Sequence, residues 1–131
     1  MAGERILVVD DNPLNLKVTR LLLVSEGYQV RTARDAQEAL VTLETFHPRL
    51  ILMDIRMPGM DGLELTRRLR ADPSMDGVAI LALTAYAMKG DEERARQAGC
   101  DGYVTKPIDT RAFPQLLCRC LSTRPGSIDP R

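Results

Sequence analysis

RLILMDIRMPGMDG, residues 49–62, runs four aliphatic or thioether side chains into a carboxylate. An unbroken apolar run of this length bounded by turn residues reads as a strand buried on both faces. Asp54 stands at its end, and Pro58-Gly59 and Asp61-Gly62 then turn the chain away. An aspartate in that position is either a turn former or a reactive group. The other strand ends have to decide between the two.

The whole chain is neutral ground for that decision. At 131 residues it has the length of one domain and needs neither disulfides nor metal to build a core. Eighteen basic and eighteen acidic residues cancel, so no overall field draws it to nucleic acid or to anionic lipid. No apolar run approaches the ~20 residues of a membrane span, and the start MAGER lacks the apolar core of a signal peptide. The three cysteines, Cys100, Cys118 and Cys120, have no metal-ligand spacing and read as reduced thiols of a cytoplasmic protein.

Short apolar runs alternate with amphipathic segments. Strands are expected at 6–9, 28–32, 50–53, 78–83 and 103–104. Asn12-Pro13 reads as a helix cap followed by proline in the first turn, with Leu14, Val18, Leu21 and Leu22 at helical spacing and Gly27 as the stop. Asp35 caps a helix carrying Ala36, Leu40, Leu43 and Phe46, and 63–69 forms another. In the polar helix at 91–97, Glu92 and Arg96 stand at the favourable i,i+4 spacing, and Gly99 ends it. Phe113, Leu116, Leu117, Cys120 and Leu121 give a last amphipathic helix, in which Pro114 fits only the first turn. Phe113, Leu116 and Leu117 read as core. Residues 1–122 form the domain, and 123–131 a flexible tail or the start of a linker.

Five β-α units imply an α/β, doubly wound, three-layer sandwich around a parallel sheet with right-handed crossovers. Ligands of such sheets sit beyond the carboxyl ends of the strands. Those ends carry Asp10 and Asp11, Asp54, Thr84, and Lys106-Pro107. Each alone has a structural reading as a cap, a turn or a surface group, but together they describe one site. Clustered carboxylates repel, and a divalent cation removes the conflict; magnesium favours oxygen ligands, one or two of them carboxylates. A carboxylate can attack phosphorus to give an acyl phosphate, and Lys106 and Thr84 could meet the phosphoryl oxygens.

VVDDN at 8–12, LMDIRMPGMDG at 52–62, LTA at 83–85 and YVTKP at 103–107 stand in the order and spacing of the receiver domain of two-component response regulators, which the chain closely resembles over roughly residues 5–121. The resemblance implies a flavodoxin-like (βα)5 fold of strand order 2-1-3-4-5. It implies Asp54 as phospho-acceptor, with Asp10, Asp11, Asp54 and the Arg56 carbonyl holding Mg2+. Thr84 and Lys106 match the phosphate-binding pair, Thr84 and Tyr103 the switch, and Lys106-Pro107 the usual cis peptide bond. The implied phosphodonor is a histidine kinase or a histidine phosphotransfer protein. The implied output is a protein partner on the surface of the fourth helix, fifth strand and fifth helix, about 87–96 and 103–117, with no nucleic-acid or membrane contact. Dimerisation on phosphorylation, common in the family, is left open by the sequence.

Bulky Arg56 and Tyr86 occupy the positions that tune phosphoryl lifetime, so slow self-hydrolysis is expected, and a half-life of seconds would oppose that. Residues 85–108 also resemble single-domain receivers related to cell-division regulators, and receivers of hybrid kinases. Alternative readings are a module of a larger regulator or hybrid kinase and a scaffold that works without phosphate. A haloacid-dehalogenase-type phosphatase would want an aspartate where Arg56 stands and its nucleophile on the first strand. An FMN carrier would want a Ser/Thr/Gly-rich loop where DDNPLN stands. His47, the only histidine, precedes Pro48 in a loop and carries no expected metal or relay role.

Overall fold

The computed structural model describes residues 3–55, 61–84, 90–105, 115 and 117. Expectations for Arg56, Pro58, Gly59, Tyr86, Lys106, Pro107, Phe113, Pro114, Leu116, Cys118, Cys120 and Leu121, and for the tail, fall outside those residues. The elements alternate as expected: β1 (Arg5–Val9), α1 (Pro13–Ser25), β2 (Gln29–Ala33), α2 (Ala36–Leu43), β3 (Leu50–Asp54), α3 (Gly62–Arg70), a 3-10 turn (Pro73–Met75), β4 (Ala79–Thr84), α4 (Asp91–Ala98) and β5 (Gly102–Thr105). All strand pairings are parallel, in the order β2-β1-β3-β4-β5. This is the flavodoxin-like arrangement the sequence implied.

The central strands are apolar over Ile6–Val9, Leu50–Met53 and Ala79–Leu83 because both of their faces are covered. Ile6, Val8, Leu50, Leu52, Leu81 and Leu83 face one layer, with Leu16 and Leu23 of α1 and the fully buried Leu117. Leu7, Val9, Ile51, Met53, Ile80 and Ala82 face the other, with α2, α3 and α4. Each such Leu or Ile contributes about 2 kcal/mol by leaving water. Leu117 is core, as expected.

Local signals set the helix starts. Asn12 Oδ1 accepts from Leu14 N at 2.9 Å, Asp35 Oδ1 from Glu38 N at 2.8 Å, and Asp61 Oδ1 from Glu64 N at 2.9 Å. α4 begins instead at Gly90, with no side-chain cap, and ends at Gly99 with φ +115°. Glu92 pairs with Arg96 at 3.2 Å as its spacing suggested. β4 starts one residue later than expected and runs through Thr84.

α1 departs from the simplest reading. Its buried side chains are Leu16, Thr19 and Leu23, while Leu14, Val18, Leu21 and Val24 are 46–66% exposed. Of the expected stripe, Leu14, Val18 and Leu21 face outward, and Leu22 alone packs partly against the core. Seven of the thirteen residues in PLNLKVTRLLLVS are Leu or Val, so periodicity cannot choose the inward face.

At the amino ends of β4 and β5 one guanidinium gathers three segments. Arg70 donates from Nε to Gly99 O at 2.9 Å, from Nη1 to Met75 O at 3.0 Å and from Nη2 to Asp101 Oδ2 at 2.6 Å. Asp101 Oδ2 also accepts from Ile80 N at 2.8 Å.

Candidate functional site

Parallel register brings the strand-end residues together. Val9 pairs with Met53, so the next rung along the sheet sets Asp10 beside Asp54. Asp54 itself pairs with Leu83, placing Thr84 one rung beyond it on the neighbouring strand. Thr84 pairs with Thr105, which leads directly into Lys106. A carboxylate oxygen from each of Asp10, Asp11 and Asp54 lies within 4.8 Å of the others.

Burial divides the three acids. Asp10 and Asp54 are 1% and 4% exposed, while Asp11 opens to solvent. Backbone hydrogen bonds fix Asp10: its N–H donates to Ala33 O at 3.0 Å, and its Oδ1 accepts from Asn12 N at 3.0 Å. Asn12 thus helps to hold Asp10 while capping α1. Three hard oxygen donors at this separation suit one divalent cation, whose opposite ligands stand ~4.2 Å apart in magnesium's octahedron. Thr84 is fully buried at the end of β4, and the half-buried Tyr103 follows one strand over. Of the expected site residues, Asp10, Asp11, Asp54 and Thr84 therefore converge, and Tyr103 stands on β5.

Gly62 is the residue the sequence reading missed. It donates to Ile55 O at 3.3 Å. A Cβ there would collide with the Asp54 carbonyl oxygen and lie 2.8 Å from Ile55 Cα. Close approach of α3 to the strand end thus requires glycine. The Asp61-Gly62 pair had signalled only a turn; Asp61 is in fact a cap, and Gly62 a spacer.

Just before the amino end of β5, Cys100 is buried, and its Sγ donates to Thr66 Oγ1 at 3.9 Å. Burial pushes its thiol from 9.0 up to about 11; the hydrogen bond to Thr66 opposes it, the Asp101 charge adds a smaller rise, and Arg70 a smaller opposing effect still. At pH 8 its thiolate fraction is then about a hundredfold below that of an exposed thiol. With Cys118→Ser and Cys120→Ser in place, iodoacetamide at pH 8 should label Cys100 only after unfolding; rapid labelling of the native protein would contradict the burial. Because the folded-state value is the higher one, this thiol's contribution to stability is complete below pH 9 and is lost as pH rises towards 11.

The response regulator receiver domain family matches residues 6–117. The polar-differentiation response regulator DivK of Brucella ovis is 45% identical over 114 residues, covering 87% of this chain and 93% of its own. The receiver domain of a sensor histidine kinase from Pseudomonas aeruginosa PAO1, solved with magnesium coordinated in its active-site cleft, superposes with a TM-score of 0.83 at 39% identity. It covers 93% of this chain and 100% of its own. A receiver domain protein from Methanospirillum hungatei JF-1 superposes with a TM-score of 0.82 at 33% identity, covering 92% and 94% of the two chains.

Proposed function

Because the chain belongs to the response regulator receiver domain family of two-component signalling, we propose that it takes a phosphoryl group onto Asp54 from a phosphohistidine donor and relays the change to a protein partner. The observation that carries this is the convergence of Asp10, Asp11 and Asp54 at the carboxyl edge of the sheet, with Thr84 one rung away. Asp10, Asp11, Asp54 and the Arg56 carbonyl are the proposed magnesium ligands, and the ion supplies neutralisation of the phosphoryl oxygens.

The chain's own residues do the rest. An Asp54 carboxylate oxygen attacks phosphorus in line, the P–N bond to the donor imidazole breaks, and the electron pair leaves with the imidazole. Lys106 pairs with a phosphoryl oxygen. The Thr84 hydroxyl donates to another, and its movement makes room for Tyr103 to turn inward. The α4–β5 face and the fifth helix then present an altered surface, a local charge event biasing a two-state element. Arg56 and Tyr86 lengthen the life of the acyl phosphate by obstructing water. The receiver unit is assigned to 1–122, with 123–131 a tail or linker start.

The donor is proposed to dock on the outward stripe of α1. Leu14, Val18 and Leu21 begin three residues after Asp11, and Lys17 and Arg20 flank them with no acid in the helix. Val18→Asp should slow transfer from a phosphohistidine donor protein about tenfold while leaving uptake from acetyl phosphate unchanged. Equal loss with both donors would mean a damaged fold rather than a damaged docking face.

The test of the function itself is intact mass after incubation with magnesium and acetyl phosphate. One phosphate per chain, removed from the outcome by prior chelation, is the expected result. No gain with either acetyl phosphate or a phosphohistidine donor would leave a scaffold.

A further inference from the structure

The end of the molecule away from the acidic cluster carries a second concave feature. α3 packs on α4 rather than closing against α2, and the loops entering β3 and β4 bound the gap between α2 and α3. The resulting groove encloses about 350 Å³. That is the lower range of pockets that hold ligands or anchor side chains.

Its lining is divided by chemistry. Leu40, Leu43, Leu69, Met75 and Val78 form an apolar floor, and Leu40 and Leu43 are only partly covered by the core. Glu44, His47 and Asp72 stand on the rim, all exposed; its two carboxylates face a single imidazole, and no lysine or arginine is among the described lining residues. Asp72 is held in place: its Oδ1 accepts from Ser74 N at 3.0 Å and Ser74 Oγ at 2.9 Å. An apolar floor inside an acidic rim repels an acidic segment and complements one with basic flanks.

We propose that this groove docks a segment of a partner protein that inserts one large apolar side chain flanked by lysine or arginine. The floor supplies burial for the anchor, and Glu44 and Asp72 set the sign of its neighbours. None of these residues belongs to the proposed phosphoryl site, so the groove offers a contact whose geometry does not depend on Asp54.

Methyl-labelled full-length protein titrated with two peptides tests this. The probes are acetyl-Gly-Lys-Phe-Arg-Gly-amide and its counterpart with glutamate at both basic positions. The basic peptide should shift the methyl signals of Leu40, Leu43, Leu69, Met75 and Val78 to saturation and bind about tenfold tighter than the acidic one, as expected for two exposed charge pairs gained rather than opposed. The combined Glu44→Gln and Asp72→Asn variant should erase that preference while its mass gain with acetyl phosphate stays at the wild-type level. Equal binding of both peptides, shifts mapping elsewhere, or groove signals that move with protein concentration alone would each overturn the proposal. The last outcome would assign the groove to a second copy of the chain. Failure of phosphate uptake, by contrast, would bear on the proposed function and leave the groove untouched.

Discussion

Asp54→Asn should gain no phosphate under conditions that load the wild-type protein. The amide matches the carboxylate in shape but carries neither its charge nor its nucleophilic oxygen, so the loss is expected to exceed a hundredfold. The same exchange removes one of three acids crowded within 4.8 Å, which relieves repulsion in the metal-free protein. Its thermal midpoint without magnesium should therefore equal or exceed that of the wild type. Magnesium should then raise the midpoint less than in the wild type, because binding to the native state stabilises in proportion to affinity. Intact mass and paired melting curves separate the two effects. A phosphorylated Asp54→Asn protein would move the acceptor to another residue.

The second large effect is expected from Gly62→Ala. The obstacle to its added methyl is backbone, the Asp54 carbonyl and Ile55 Cα, so no side chain can swing aside. α3 must back away from the end of β3, undoing the Gly62–Ile55 hydrogen bond and disturbing the buried Leu63 and Leu65 behind it. Overpacking of this kind typically costs about 1–3 kcal/mol, and here the upper end is expected because the contact is with backbone. Urea unfolding measures the loss. The geometric consequence is weaker magnesium binding, read by titration. An alanine variant as stable as the parent would show that α3 can slide without cost.

The sheet and the acidic cluster were legible because each rests on a strong local signal. Aliphatic runs as long as a strand declare burial on both faces, and a carboxylate placed at the end of 6–9 and of 50–53 stands out against them. Caps at Asn12 and Asp35 were equally local. What stayed hidden depends on tertiary approach. The inward face of α1 was ambiguous because Leu and Val surround the helix, and only packing against β1 and β2 selects Leu16 and Leu23. The need for glycine at position 62 arises from how near a helix comes to a strand end, which composition does not encode. Arg70 and Asp101 are 31 residues apart, and nothing in RRLR marks which arginine will turn inward.

That arginine gives α4 two unlike ends. At its carboxyl end the Gly99 carbonyl is bound by Arg70, and a Cβ on Gly99 would lie 2.5 Å from Arg70 Cγ, so helix and side chain are seated together. At its amino end Gly90 supplies no cap. Any tilt of the helix would therefore pivot beside Arg70. Eight residues make an arm of ~12 Å, so a tilt of ~10° about that pivot displaces the end nearest Thr84 by ~2 Å and the far end by almost nothing.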